Sequence, residues 1–402
     1  MSSTQPGRAD ADPERVASAL STAGFVRLCA RPTGDALAAA GLLARALRDR
    51  GTPFHVRTTR DGSVPAGDGT AVALGWDAPD AQSVRGEDRP LSVVAASVVD
   101  ALGAEPDPVV GLAGVVAAEA VPGGAGSGAL LEEAERRGAV RRRPGVAVPT
   151  ADVADGLASS TLLRLPCSGD PEAARALLAD LGFPAEPDDD AHRRLASAVA
   201  LDATAEAPPR ATEAVERALR PYATPTGPFE TLGGYADVLD AVARERPGVG
   251  VSLALGADAA RADALECWRT HAGTAHGFLD DPTTGRYDGV FVVRVDAEPT
   301  AVPALATAAR LARDYRSPEP VALVVARVAD GGDEADGAGD DAVGGAAAAA
   351  AAPDADADVS AALAAAADAT GGDATGDGRR GDARFDGDVQ AFVQAFREAV
   401  QP

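Results

Sequence analysis

The sequence predicts an α/β protein with a parallel-sheet N-terminal domain, a helical middle region and a smaller α/β C-terminal domain. Two observations carry that expectation. Short apolar runs alternate with helical stretches near both ends of the chain, the pattern of a parallel sheet covered on both faces. Between them, helical periodicity dominates. A length of 402 residues leaves room for two or three domains.

In chain order, residues 24–30 (GFVRLCA) read as a buried strand and Asp35 to Arg50 as a helix with a basic last turn. Residues 53–58 and 71–76 (AVALGW) read as further strands, and 92–102 and 108–118 as buried helices rich in small residues. The middle holds the helices PEAARALLADLG, RATEAVERALRP and TLGGYADVLDAVARERPG, then GVSLALG as a strand, then a long helix through Cys267 and Trp268. The run Asp188–Asp190 beside His192 reads as a solvated helix N-terminus, where carboxylates suit the dipole. YDGVFVVRV, a helix and PVALVVARV repeat the β-α-β pattern. Val389, Phe392, Val393, Phe396 and Val400 form one apolar stripe of a terminal helix. The expected boundaries are a disordered tail at 1–14, domains at 15–155, 156–285 and 286–402, and a disordered acidic insert at 329–358, rich in Asp, Gly and Ala.

The net charge is −24, and the sequence contains no Lys, Ile or Asn, so every basic side chain other than His is Arg. An acidic, Lys-free surface suits an extreme halophile, because net charge opposes association in concentrated salt. At about 1 M salt the Debye length falls to roughly 3 Å. Nucleic-acid binding there depends on close contacts or a partner, since phosphate affinity falls steeply with salt. Cys29, Cys167 and Cys267 form no C-x-x-C pair, which argues against a disulfide framework or zinc site. No apolar run approaches membrane-spanning length, and the polar N-terminal stretch carries no signal-like apolar region. The expected location is cytoplasmic, with no membrane partner.

Three segments resemble the DHH phosphoesterase superfamily, in particular its archaeal RecJ-like branch. The first is Arg31-Pro32-Thr33-Gly34-Asp35-Ala36, similar to the His-x-Asp-x-Asp-Gly motif that ends a strand and opens a helix. Asp35 takes the second Asp position, Arg31 the His position and Thr33 the first Asp position. The second is Gly371-Gly372-Asp373 through Arg384, similar to the Gly-rich loop of the DHH-associated C-terminal domain. The third, GLAGVVAAEAVPGG, resembles the small-residue helix that leads to the family's last metal-binding Asp, with Glu119 near that position. Asp77 matches the second-motif Asp.

The resemblance implies a fold with a DHH-like N-terminal domain and a DHH-associated C-terminal domain, and in active members two divalent metals, usually manganese. The chain departs from that pattern. Its histidines stand at 55, 192, 271 and 276, and no Asp-His-His triplet exists. The expectation is a degenerate member, comparable with the cell-division-cycle 45 protein: no cofactor, and a binding or scaffold role in DNA replication or repair. The partners implied are GINS or other replisome proteins, and single-stranded DNA or RNA. Phosphate contacts fall to Gly371, Gly372, Gly376, Gly378, Arg379, Arg380, Arg384 and Arg31. The alternative is a metal-dependent 5′→3′ exonuclease or small phosphodiesterase with a remodelled site, using Asp35, Asp77 and Glu119 and holding Mn²⁺ or Mg²⁺ on Asp35 and Asp77. Against both stand plainer readings: Asp35 as the cap of its own helix, Asp77 as a turn residue, Glu119 as a surface group, and the Gly-rich segment as a turn whose arginines pair with Asp373, Asp377 and Asp382.

Overall fold

A computed structural model describes residues 12–86, 88–329 and 344–400. The chain divides into two compact units: Met1–Arg141 with Thr224–Pro228 and Val238–Ala264, and Arg142–Ala223 with Phe229–Asp237 and Leu265–Pro402.

The first unit opens with α1 (Pro13–Ser21), where Asp12 accepts from the Glu14 N–H at 3.1 Å and Pro13 supplies a pre-set φ. Pro13 and Glu14, expected within a tail at 1–14, belong to this helix; residues 1–11 lie outside the described residues. Then follow β1 (Val26–Ala30), α2 (Gly34–Asp49), β2 (Phe54–Thr58), β3 (Thr70–Leu74), β4 (Gln82–Val84), α3 (Leu91–Ala101), α4 (Pro108–Ala117) and α5 (Gly128–Arg136). The strands form one sheet in the order β2-β1-β3-β4, parallel throughout. Its central strands are almost wholly buried, as strands covered on both faces must be. Small residues let α2, α3 and α4 approach closely. A Cβ on Gly114 would lie 2.5 Å from Ser92 Oγ and 2.8 Å from Ala38 Cβ.

The second unit contains a ribbon of β5 (Arg141–Arg142), whose Arg142 belongs to it, against β6 (Tyr222–Ala223). Around it stand α6 (Val153–Ser159), α7 (Pro171–Asp180), α8 (Asp189–Thr204) and α9 (Ala211–Ala218). The chain continues through α10 (Leu232–Glu245), α11 (Pro247–Ala254) and α12 (Arg261–Gly277), of which residues Val238–Ala264 belong to the first unit. A six-stranded mixed sheet follows, ordered β11-β12-β10-β9-β8-β7. Its strands are β7 (Thr283–Tyr287), β8 (Val290–Ala297), β9 (Val321–Val328), β10 (Gly345–Ala351), β11 (Asp373–Gly376) and β12 (Arg380–Phe385), with α13 (Leu305–Tyr315), α14 (Val359–Ala369) and α15 (Val389–Val400).

Three expectations change. GVSLALG lies mostly within a helix, α11, opened by Pro247 in its first turn. A short apolar run does not distinguish strand from helix by period, and Gly250 packs where a Cβ would sit 2.4 Å from Leu37 Cδ2. The acidic insert expected over 329–358 contains a fully buried strand, β10, paired with β9 and β12. Ala346, Ala348 and Ala350 join one core, and Ala347, Ala349 and Ala351 the other. Of that insert, residues 330–343 lie outside the described residues. Finally, most of the middle region shares a unit with the C-terminal sheet. One apolar core joins Leu195, Val199 and Val215 to Val293, Val324 and Ala348.

Candidate functional site

The first motif follows the carboxyl end of β1. Thr33 caps α2, its Oγ1 accepting from the Ala36 N–H at 3.3 Å. The Gly34 N–H donates to Asp240 Oδ1 at 2.9 Å. Asp35 therefore does not cap its own helix. It is 8% exposed, and its carboxylate reaches the start of α3, where Oδ2 accepts from the Leu91 N–H at 2.7 Å and Oδ1 from the Ser92 N–H at 2.9 Å. The α3 cap position is Pro90, which offers no side-chain acceptor. Asp35 supplies the anion that the free N–H groups and positive dipole end of α3 favour.

Because β3 lies beside β1, the loop after β3 runs along the same sheet edge as the first motif. The Arg31 N–H donates to the Leu74 carbonyl at 3.2 Å, and Arg31 Nε to the Gly75 carbonyl at 3.0 Å. Gly75 has φ +111°, and a Cβ there would sit 2.9 Å from Arg31 Cδ, so a residue without a side chain is required. Asp77 is exposed and ion-paired to Arg85 at 2.9 Å. Glu119 is half-buried just past α4, at φ +62°. His55 lies exposed on β2. Among the described residues no group of three or more His, Cys, Asp or Glu is arranged to hold a metal ion.

The Gly-rich segment is a hairpin rather than an open loop. Gly371, at φ +73°, ends α14, and β11 and β12 pair antiparallel from Asp373–Arg384 to Gly376–Gly381. At its tip Asp377 Oδ1 accepts from the Arg379 N–H at 3.2 Å and the Arg380 N–H at 3.0 Å. Gly378 there has φ +89°. A Cβ on Gly372 or Gly376 would collide with the backbone of β12. Arg379 and Arg384 are exposed, and Arg380 is half-buried.

The second unit places two of its three histidines, His271 and His276, in structural bonds. His276 Nε2 lies 3.0 Å from the Ser160 carbonyl, and Nδ1 faces an Arg164 N–H donor at 3.2 Å. The proton therefore sits on Nε2. Burial, with Arg164 adding repulsion, holds this imidazole down to about 4. His271 Nε2 lies 2.8 Å from Thr307 Oγ1.

One cluster was not singled out from the sequence. Arg142 and Arg143, from the run Arg141–Arg143, line a pocket of about 620 Å³ with Arg193 and Arg220. The triple-Arg run was the available signal, but Arg220 joins it only through the fold.

Comparison with known proteins bears on this geometry. A family model described as the C-terminal domain of the uncharacterised protein rrnAC1427 matches residues 282–398. The uncharacterised protein rrnAC1427 of Haloarcula marismortui is 49% identical over 350 residues, covering 83% of this chain and 90% of that protein. Among solved structures, CDC45 from Entamoeba histolytica superposes with a TM-score of 0.58 at 9% identity, over 94% of this chain and 95% of that one. RecJ from Thermus thermophilus, in complex with Mg²⁺, gives 0.51 at 15% identity over 96% of this chain and 51% of that one. The chain thus spans about half the length of that RecJ chain. The fold is of the RecJ and CDC45 kind. No described helix is long and apolar enough to cross a membrane.

Proposed function

We propose, for a chain that belongs to the family of the Haloarcula marismortui protein rrnAC1427, a non-hydrolytic role: a degenerate DHH protein that binds single-stranded DNA or RNA and acts as a scaffold subunit in DNA replication or repair. One observation carries the reading. Both oxygens of Asp35 accept backbone N–H groups of α3, so the one carboxylate that remains of the first motif is in structural use. Two-metal hydrolysis needs cations held roughly 4 Å apart by converging ligands. Here Arg31 holds a fixed positive charge at the same sheet edge, Asp77 is turned to Arg85, and the described donors do not fit a two-metal centre.

Nucleic-acid contact belongs, in this reading, to the β11–β12 hairpin. Asp377 already takes the Arg379 and Arg380 amides, so phosphate falls to the guanidiniums of Arg379, Arg380 and Arg384, whose forks match it. Arg31 is a further phosphate contact on the first unit. The protein works in the cytoplasm of a halophile, and its partners are GINS or other replisome proteins.

The test uses labelled single-stranded DNA and RNA in molar KCl with Mn²⁺ or Mg²⁺. The expected result is retention without shortening, weakened by Arg379→Ala with Arg380→Ala. Manganese-dependent shortening that disappears in Asp35→Ala and Asp77→Ala would establish the exonuclease or phosphodiesterase alternative instead.

A further inference from the structure

The pocket of the second unit collects positive charge in a chain whose net charge is −24. One wall is the ribbon on either side of β5 and β6. The Arg143 N–H donates to the Pro221 carbonyl at 3.0 Å, and the Arg220 N–H to the Gly145 carbonyl at 3.1 Å. Arg142 lies over the Tyr222 ring at 4.3 Å and donates to the Arg220 carbonyl at 2.7 Å. The other wall is α8, which contributes Arg193, Ala196, Ser197 and Ala200.

Three features mark this pocket as built for a ligand. The Arg143 Nε is shut away from solvent and, among the described residues, has no hydrogen-bond partner, although buried polar atoms ordinarily find one. Arg220 holds φ +49°, a conformation that costs a non-glycine residue energy and recurs at functional sites. Among the described residues, only Arg193 of the four has a carboxylate in contact, being paired with Asp190 and lying 3.9 Å from Asp189. His192, whose Nδ1 faces Gly145, is held below its ordinary range by burial and by Arg143. Ala196 and Ala200, one helical turn apart on α8, line the pocket with Leu219 and give it a small apolar floor. The volume falls in the range of small-ligand sites.

We propose that this pocket is a nucleotide site, with the phosphate held by Arg142, Arg143 and Arg220 and the base laid on Ala196, Ala200 and Leu219. Guanidinium forks grip phosphate in paired, short-range bonds, which survive the screening of concentrated salt better than distant charge does. The site goes beyond the hairpin contact and does not depend on it. Its chemistry serves either a free nucleotide or the phosphorylated end of a single strand.

The experiment titrates the full chain in molar KCl with methylanthraniloyl-labelled ADP, followed by fluorescence. Competitors are unlabelled ADP, sulfate, and short oligothymidylate with a 5′-phosphate or a 5′-hydroxyl. Saturable binding weakened about tenfold or more by Arg143→Ala is expected, since bonds to charged groups carry that much. Ala200→Glu, at a half-buried floor position, should weaken it as strongly and serves if Arg143→Ala loosens the ribbon. Competition by the 5′-phosphate strand and not the 5′-hydroxyl strand identifies a strand end as the source. Competition by ADP alone identifies a free nucleotide. No saturable binding, binding indifferent to both substitutions, or competition by sulfate equal to that by ADP overturns the proposal.

Discussion

The sheet edge around Asp35 and the pocket around Arg143 are both charged, and they differ in how their bonds are filled. At Asp35, two backbone N–H groups occupy both carboxylate oxygens. At Arg143, a buried N–H has no partner among the described residues. A charge whose hydrogen bonds are met inside the fold stabilises the fold. A charge left with an unmet bond costs stability, and a ligand can recover that cost. The sequence motif pointed to the first region, where the buried atoms unpartnered among the described residues, Trp76 Nε1, Gln82 Oε1 and Ser92 Oγ, belong to neutral side chains, while the unfilled bond of the pocket belongs to a charge.

The largest effect expected from this contrast is on stability. Asp35→Ala leaves the start of α3 without its anion, and it should cost about 3 kcal/mol, since bonds to charged groups carry roughly 1.5–3 kcal/mol each. Urea unfolding in molar KCl measures it. A variant as stable as the parent would place Asp35 among the unfilled groups and break the contrast.

His276 tests the same idea within the second unit. Its folded value of about 4 lies below the usual imidazole range, so its contribution is present above about pH 6.5 and is lost as pH falls toward 4. The loss should be about 3 kcal/mol over that window, at about 1.4 kcal/mol for each pH unit between the unfolded and folded values. His276→Gln should flatten the acid limb of a stability-versus-pH curve; an unchanged limb would assign acid sensitivity to other groups.

Asp35, β10 and the Arg141–Arg143 run differ in how far they could be read from the sequence. β1, α2, β3 and the Phe392–Phe396 stripe were legible because their apolar periods are their own. β10 was not: Ala346 to Ala351 are identical, so a period of two leaves no trace, and the strand exists only through its pairing with β9 and β12. Asp35 was legible as a residue that matters, but its partners Leu91 and Ser92 lie in another helix, and the sequence offered only its own helix to cap. Arg141–Arg143 was visible as a charge run. Its meaning required Arg220 and α8, which the fold brings beside it.

A smaller effect of opposite sign is expected at Arg220. Arg220→Gly relieves a left-handed backbone and should stabilise the chain by about 1 kcal/mol, while weakening labelled-ADP binding. Equal losses of stability and binding would show that Arg220 is a structural residue. The smallest effect belongs to Asp77. Its pair with Arg85 is partly exposed, and such pairs contribute about 0.2–1 kcal/mol. Asp77→Ala should stay within about 0.5 kcal/mol of the parent by urea unfolding, and a larger loss would give the loop after β3 a structural weight that its exposure does not suggest.

The proposed non-hydrolytic role rests on Asp35 serving the fold and on Asp77 holding no metal ion with it. Manganese titration of the native chain in molar KCl, followed by electron paramagnetic resonance of free Mn²⁺, tests it most directly. No stoichiometric uptake and no change on Asp77→Ala are expected. Uptake of one or two ions per chain, abolished by Asp77→Ala in a fully folded variant, would contradict it.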